Sequence, residues 1–216
     1  MPLKTALIVG ASGLTGNILL KKILDSKVYD KVYVYSRSSL NIIHPALEEK
    51  LIDFDALHDA VPAEDVFCCL GTTIKKAGSQ EAFKKVDYGY PLKVAQLQSA
   101  AGSKNFLAIS AIGASSTSSI FYSRVKGAME EAISALPFQQ VYIFRPSFIA
   151  GKRKEKRIAE EIALPVLKLI NPLFIGPLKK YRSVSAEAIA NAMLYYAQHP
   201  ETGVHVIPSD EILKFS

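Results

Sequence analysis

The sequence predicts an α/β fold built on a doubly wound parallel sheet. Short apolar runs typical of strands alternate with helical patterns over most of the 216 residues. The first apolar run opens directly into a turn with three glycines, and an amphipathic segment follows that turn. This order of strand, glycine turn and helix is typical of parallel strands joined by helical crossovers.

The strands and helices follow one another along the chain with recognisable boundaries. Strands are predicted over residues 5–9, 31–35, 51–52, 66–70, 105–110 and 141–144. Helices are predicted over 17–26, from Pro91 to just before Gly102, and over 120–135, ending before Pro137. Beyond residue 144, a basic loop and an apolar segment with prolines precede a helix near 185–198 and a strand near 204–207.

Composition limits the classes of protein that fit the chain. With 49% hydrophobic residues, residues 1–216 are expected to form one domain, to which 151–216 contribute a smaller part. The net charge of +6 is spread along the chain, which favours a small anionic ligand over nucleic acid. No apolar stretch is long enough to span a bilayer, so no stable membrane insertion is expected, and the protein is expected to be a monomer or homodimer. The adjacent Cys68 and Cys69 lack zinc-ligand spacing and indicate a reduced, cytoplasmic protein.

The glycine turn predicts a phosphate-binding site. A strand that ends in glycines lets a pyrophosphate approach the backbone, and the next helix directs unpaired N–H groups at it. Side-chain hydroxyls can add donors to the same phosphate. The residues expected to take part are Gly10, Ser12, Gly13, Leu14, Thr15 and Gly16.

The second strand predicts which dinucleotide binds. It ends in Ser36-Arg37, where an NAD-specific domain normally carries an acidic residue for the ribose diol. A guanidinium can instead pair with a 2′-phosphate, so the cofactor is predicted to be NADP(H), although Arg37 can also be read as a solvated surface residue. After the third strand, Asp53 and Phe54 are expected beside the adenine, and Asp53 is equally readable as a loop cap.

Ligands of an open α/β sheet lie over the carboxyl ends of its strands. The residues that follow the fourth and sixth strands are therefore expected to line the cofactor, with loop or core positions as the alternative reading. They are Leu70, Gly71 and Thr72 after the fourth strand, and Pro146, Ser147 and Phe148 after the sixth.

Tyr122 and Lys126 form the candidate catalytic pair. They are four residues apart on a predicted helix and so share one face. A free phenol has a pKa of about 10 and needs a nearby cation to exchange protons at neutral pH. Tyr122 is expected to act as the acid or base in carbonyl reduction, while Lys126 stabilises its phenolate and binds the nicotinamide ribose.

Several motifs together resemble the short-chain dehydrogenase/reductase superfamily. They are the GxxGxxG glycines, YxxxK, and Arg145-Pro146 after the sixth strand. The runs CLGTT (69–73), AGSQEAF (77–83), VDYGY (86–90), FYSRVKG (121–127) and RPSFIAGKR (145–153) resemble its atypical branch, which includes the Tat-interacting-protein group and its bacterial relatives. The resemblance implies a Rossmann-like fold, NADP(H), the Tyr/Lys pair and a small C-terminal region that covers the substrate. From its composition, the proline-containing apolar segment 163–178 is read as pocket cover or oligomer contact, with membrane attachment or ordinary core as the alternatives.

The resemblance also implies a serine that orients the substrate carbonyl. Ser110 is the nearest match, with Ser115 and Ser116 as substitutes if it falls short of the site. Asp87 lies where many relatives place an asparagine that supports the lysine. The basic run 152–157 is read as a solvated loop near an anionic cofactor.

These observations predict an NADP(H)-dependent oxidoreductase acting on a small carbonyl or alcohol substrate. One alternative is a regulator that binds NADP(H) without turnover. A second is an epimerase that uses the nicotinamide transiently, although the short C-terminal part leaves little room for a nucleotide-binding lobe.

Overall fold

In the computed structural model, residues 4–150 and 181–216 are described. Within them, seven strands form one sheet in the order β3-β2-β1-β4-β5-β6-β9, and all neighbouring pairs are parallel. The strands are β1 (Lys4–Val9), β2 (Tyr29–Ser36), β3 (Leu47–Leu51), β4 (Asp65–Cys68), β5 (Asn105–Ile109), β6 (Gln140–Arg145) and β9 (Gly203–Pro208). The short strands β7 (Ile149–Ala150) and β8 (Val184–Ser185) pair separately. The predicted doubly wound sheet is confirmed.

Helices cover both faces of this sheet. They are α1 (Leu14–Asp25), α2 (Ile74–Ala77), α3 (Gln80–Lys84), a π-helical turn (Lys85–Gly89), α4 (Tyr90–Ala100), α5 (Phe121–Ser134), α6 (Ala186–Gln198), α7 (Ser209–Ile212) and a 3₁₀ turn (Leu213–Phe215). Helices α1 and α6 pack together and bury one face of the sheet, whereas α4 and α5 bury the other. Burial on both faces explains why the central strands are apolar beyond their first one or two residues.

The chain reverses direction across the sheet at β1. After β1 it builds β2 and β3 on one side, and it then crosses to the other side for β4, β5 and β6. The connections that follow β1 and β4 therefore lead to helices on opposite faces of the sheet, and open α/β sheets bind ligands in the crevice at such a position. The glycine turn lies at this crevice.

Two elements differ from the sequence prediction for physical reasons. Strand β3, with the sequence LEEKL, was expected only at residues 51–52, because an edge strand carries charged residues that hide the apolar pattern. Helices α2 and α3 were not expected, and each is a short turn capped by a hydroxyl, Thr73 for α2 and Ser79 for α3.

The C-terminal part contributes to the main sheet. Residues 181–216 supply α6, β9 and α7, and β9 extends the sheet beside β6. The predicted cover segment 163–178 and the basic run 152–157 lie outside the described residues. In the described part of the chain, no helix is long and apolar enough to cross a membrane.

Candidate functional site

The glycine turn after β1 is closely packed, and side chains would not fit in it. Gly10 has a φ of +84°, and a Cβ there would lie 2.6 Å from the Cys69 carbonyl carbon. A Cβ on Gly16 would lie 2.2 Å from the Gly10 carbonyl oxygen, so α1 rests directly on the turn. The Gly13 amide donates to the same oxygen at 3.0 Å. The sequence needs glycine at positions 10 and 16 to bring α1 against the strand end.

The first turn of α1 is open to an anion. Gly13 occupies the N-cap position and offers no side chain to the first amides, and the turn carries no acidic residue. Thr15 is buried, while Ser12 is exposed beside it. These unpaired N–H groups and the helix dipole form the kind of site that binds phosphate.

A continuous set of contacts leads from this turn to the predicted catalytic pair. The Gly10 backbone abuts Leu70, and Gly71 follows. A Cβ on Gly71 would lie 3.5 Å from Asp87 Oδ1 and 3.9 Å from Lys126 Nζ. The loop after β4 therefore joins the glycine turn to the Tyr/Lys helix.

Asp87 holds Lys126 in place. Its Oδ1 atom lies 2.8 Å from Lys126 Nζ, and its Oδ2 atom accepts from the Thr72 amide at 2.8 Å. Both side chains are buried, at 1% and 4% exposure. Burial alone would lower the pKa of Lys126, but the Asp87 carboxylate and, to a smaller extent, Tyr122 outweigh it and raise that pKa. Lys126 is therefore a fixed cation.

Tyr122 lies one helical turn above Lys126 on the same face of α5. Its ring packs against Phe83 of α3, with the centroids 5.5 Å apart, and it is half-buried. The Tyr122 hydroxyl forms no hydrogen bond with the described residues. The phenol is thus beside a buried cation and open to a ligand.

The same helix face continues to Glu130, four residues beyond Lys126. Glu130 is buried and accepts hydrogen bonds from Arg145 through Nε, at 3.0 and 3.1 Å, and through Nη2. Ser110 also donates its hydroxyl proton to Glu130. Glu130 lies about 12 Å along the helix axis from Tyr122. The Ser110 hydroxyl is therefore bonded to the Glu130–Arg145 ion pair, and its single proton is directed at Glu130.

The substitute serines are held at the surface of α5. The backbone of Ser115 and Ser116 packs so closely on Gly127 that a Cβ there would lie 2.2 Å away. The Ser115 hydroxyl is 3.1 Å from that of Thr117, and Ser116 donates to Glu131. Neither hydroxyl forms a hydrogen bond with Tyr122 in the described part of the chain.

At the end of β2, the Ser36 hydroxyl contacts Glu49 Oε1 at 2.8 Å and the Ser38 carbonyl at 2.9 Å. Arg37 is exposed and forms no hydrogen bond or ion pair with the described residues. The Ser36 hydroxyl is thus hydrogen-bonded within the protein. The Arg37 guanidinium, which has no partner among the described residues, can contact a ligand.

The two residues predicted beside the adenine after β3 both make contacts within the protein. Asp53 is exposed and caps its own loop by accepting from the Asp55 amide at 2.9 Å. Phe54 is buried and stacks on Tyr90, with the ring centroids 5.0 Å apart. The loop-cap reading of Asp53 matches this geometry.

The three residues predicted to line the cofactor after β6 lie in different environments. Pro146 is buried and its carbonyl accepts from the Ile112 amide at 2.9 Å. Ser147 donates to the Arg182 carbonyl. Phe148 is 59% exposed at the carboxyl edge of the sheet and offers an apolar surface there.

The strand order, the glycine turn and the Tyr/Lys helix define a Rossmann protein of the short-chain dehydrogenase/reductase type. Protein HTATIP2 of Rattus norvegicus is 40% identical over 167 residues, which are 74% of this chain and 69% of that protein. Protein FMP52 of Meyerozyma guilliermondii is 32% identical over 220 residues, covering 97% of this chain and 94% of its own. The chain belongs to this family of HTATIP2- and FMP52-type proteins, an atypical branch of the superfamily. No protein-family model matches the chain.

Solved structures share the fold at low sequence identity. The Bordetella bronchiseptica enzyme WbmF in complex with NAD+ has a TM-score of 0.67 and 16% identity, covering 98% of this chain and 77% of its own. MoeE5 in complex with UDP-glucose and NAD has a TM-score of 0.70 and 13% identity, covering 97% and 80%. At these identities the likeness shows the fold alone.

The prediction of a cytoplasmic protein is contradicted by the relatives. FMP52 proteins of Meyerozyma guilliermondii, Aspergillus clavatus and Debaryomyces hansenii are named as mitochondrial. The inference rested on two reduced cysteines, and a thiol pair does not distinguish one reducing compartment from another.

The sequence analysis missed Glu130 and Glu49 and left the role of Asp87 open. Glu130 had a signal, because Tyr122, Lys126 and Glu130 are spaced by four and so form a stripe along one helix face. Glu49 had no such signal in the sequence. It lies in β3, which was not predicted at that position, and its partners are 9 to 13 residues earlier in the chain.

Proposed function

We propose that this protein is an NADP(H)-dependent oxidoreductase of the short-chain type, acting on a small carbonyl or alcohol substrate. The observation that carries the proposal is the unbroken set of contacts from the glycine turn through Leu70 and Gly71 to Asp87 and Lys126. It sets a phosphate site and a phenol with its cation along one crevice.

The chain's residues fit a dinucleotide. Gly10 and Gly16 leave the backbone bare where a pyrophosphate would lie. Among the described residues, no side chain caps the first turn of α1, and Arg37 has no hydrogen-bond or ion-pair partner. When bound, a reduced nicotinamide supplies a hydride to the carbonyl carbon.

Tyr122 donates its phenolic proton to the carbonyl oxygen in this proposal. Lys126, kept charged by Asp87, stabilises the phenolate that remains. Ser110 has no part in this mechanism, because its proton is directed at Glu130.

Cofactor choice is tested by fluorescence titration with NADPH and NADH. We expect the wild type to prefer NADPH, and Arg37→Ala to reduce that preference by about 1–3 kcal/mol, the range for a charge-assisted contact. Equal affinities for the two cofactors in the wild type would refute the NADP(H) assignment.

Turnover is tested with Tyr122→Phe on a panel of carbonyl compounds, followed by absorbance of the reduced cofactor. The rate is expected to fall about 100- to 10,000-fold, with cofactor affinity within about twofold. Tyr196→Phe serves as the control, since that hydroxyl donates to Glu211 on the α6 side of the sheet.

One observation favours a second function, that of a regulator that binds the cofactor without turnover. The hydroxyls of Ser110, Ser115 and Ser116, the predicted candidates to orient a carbonyl, are bonded to Glu130, Thr117 and Glu131. Cofactor binding with no reaction in the whole panel, and no difference between the wild type and Tyr122→Phe, would support this function.

A further inference from the structure

The segment that follows β2 is folded around one carboxylate. Glu49 of β3 accepts hydrogen bonds from the Ser36 hydroxyl at 2.8 Å, from the Ser39 hydroxyl at 3.0 Å and from the Leu40 amide at 2.9 and 3.2 Å. Arg37 protrudes from the middle of this segment and is exposed. The Glu49 carboxylate therefore sets the conformation of the loop that carries Arg37.

This cluster lies beside the glycine turn. Val9 of β1 pairs with Tyr35 of β2, so the next residues, Gly10 and Ser36, are neighbours at the carboxyl edge of the sheet. Glu49 pairs with Val34 and faces the same side of the sheet as Ser36, the side covered by α1. In a dinucleotide-binding fold, the adenosine ribose lies at this position.

The Ser36 hydroxyl is unable to donate to a ligand in this arrangement. A hydroxyl has one proton, and both the Glu49 carboxylate and the Ser38 carbonyl lie within hydrogen-bond distance of it. A phosphate oxygen, which carries no proton to donate when ionised, would meet only the lone pairs of Ser36.

We propose that Glu49 is a specificity-determining residue that limits the preference of this protein for a 2′-phosphorylated cofactor. The inference rests on the proposed NADP(H) function. Any phosphate in contact with Ser36 would lie within about 6 Å of the Glu49 carboxylate, since each hydrogen bond spans about 2.8 Å. Repulsion between these negative charges weakens NADPH binding and leaves NADH, which has a neutral 2′-hydroxyl, almost unaffected.

Glu49→Gln removes the charge and keeps the shape. Leu40 N and Ser36 Oγ both contact Glu49 Oε1, at 2.9 and 2.8 Å, so the glutamine oxygen takes that position and accepts from both, while the N–H₂ group lies at the Oε2 position beside Ser39 Oγ. The Ser36 proton then faces only neutral carbonyl oxygens, which are weaker acceptors than a carboxylate, so an ionised phosphate competes for it. The substitution therefore relieves a repulsion and makes the Ser36 hydroxyl available as a donor to phosphate.

The test is titration of the wild type, Glu49→Gln and Glu48→Gln with NADPH and with NADH. Glu48 is a matched control, because it is the adjacent residue of β3, loses the same charge, and faces the opposite side of the sheet, where it pairs with Lys31 at 2.6 Å. We expect Glu49→Gln to tighten NADPH binding about three- to tenfold and to change NADH binding less than twofold. Glu48→Gln is expected to change both by less than twofold.

A double-mutant cycle with Ser36→Ala separates the two effects of Glu49. In the wild-type background, loss of the hydroxyl is expected to change NADPH affinity less than twofold, because its proton already serves Glu49. In the Glu49→Gln background, the same loss is expected to weaken NADPH binding at least threefold. The gain in Glu49→Gln is also expected to shrink as salt rises from 0.05 to about 0.5 M, since salt screens the repulsion.

The outcomes distinguish this inference from the function on which it rests. If Arg37→Ala weakens NADPH selectively while Glu49→Gln leaves the NADPH/NADH ratio unchanged or weakens both cofactors alike, the role of Glu49 is refuted and the cofactor assignment stands. If the wild type binds neither cofactor, or binds NADPH and NADH with equal affinity, both the cofactor assignment and the role of Glu49 are refuted.

Discussion

The two edges of the central sheet use buried charge in different ways. At the amino edge, Asp65 is fully buried, and it accepts hydrogen bonds from Tyr29 at 2.7 Å and from Asn105, with Lys4 at 3.4 Å. Each of these four side chains comes from the first residue of a strand. Tyr29, Asn105 and Lys4 all direct donors at Asp65, and Lys4 Nζ also donates to the Ala197 carbonyl at 3.0 Å, so the donors of this cluster are used within the fold.

The carboxyl edge is built to remain open. Its buried pair, Asp87 and Lys126, adjoins Gly71, the half-buried Tyr122 and the uncapped first turn of α1. A buried ion pair is therefore no sign of function by itself. What marks the carboxyl edge as a site is the set of groups beside the pair that lack partners among the described residues.

The largest effect that separates the two edges is expected from Lys126→Met. Without its cation, Asp87 is left buried and uncompensated, which costs about 3–5 kcal/mol of unfolding free energy. Lys4→Met, at the amino edge, is expected to cost less than about 1 kcal/mol, because Lys4 is 23% exposed and Asp65 keeps its neutral donors. Urea unfolding measures both values.

The control is the double variant Lys126→Met with Asp87→Asn, which removes both charges and keeps an acceptor for the Thr72 amide. It is expected to recover much of the lost stability. A double variant as unstable as Lys126→Met alone would contradict the assignment of the loss to the unpaired carboxylate.

Gly10→Ala tests the packing of the carboxyl edge. Gly10 has a positive φ, and a Cβ would lie 2.6 Å from the Cys69 backbone, so strain and overpacking together are expected to cost about 2–4 kcal/mol. Gly102, in the loop before β5 at the amino edge, has a similar φ of +88° with nothing within 4 Å of its Cβ.

Gly102→Ala is thus the matched control, and it is expected to lose only about 1–2 kcal/mol from backbone strain. Thermal or urea unfolding of both variants gives the comparison. Equal losses of unfolding free energy in the two variants would show that the contact between the glycine turn and the residues after β4 adds nothing to the cost of Gly10→Ala.

The smallest effect concerns Asp65 and pH. Burial is the largest cause that raises the pKa of Asp65, and the Tyr29, Lys4 and Asn105 contacts offset it only in part. An unfolded aspartate ionises near pH 4. Between that pH and the raised value, the folded protein keeps a proton that the unfolded chain has lost, so the wild type loses stability as pH rises through this window.

Asp65→Asn does not titrate. Its stability relative to the wild type is expected to improve as pH rises from 4 through this window, measured by urea unfolding at a series of pH values. A difference between the two proteins that stays constant, or that moves the other way, would show that the pKa of the folded Asp65 carboxyl is not raised.

Much of the fold was predictable because its signals are local. The glycine spacing fixed β1, the turn and α1, and the apolar runs fixed β4, β5 and β6. Strand β3 escaped because three of its five residues are charged. Strand β3 is placed beside β2 by hydrogen bonds between the two strands. The spacing of apolar residues within β3 does not reveal that pairing.

The candidate site was predictable to the same extent. Tyr122 and Lys126 share a helix face through their spacing alone, and Gly10 was assigned to the phosphate turn from its position after a strand. The partner of Ser110 was not predictable, because Glu130 reaches it from another element 20 residues away.

The sequence by itself determined the alternation of strands and helices, the glycine turn and the Tyr/Lys face, because each depends on steric limits or periodicity within a few residues. Only the tertiary structure decided which buried polar groups pair: Asp87 with Lys126, Glu130 with Ser110 and Arg145, and Glu49 with the loop after β2. Buried donors and acceptors must find partners wherever the chain brings them, and that choice depends on the whole fold.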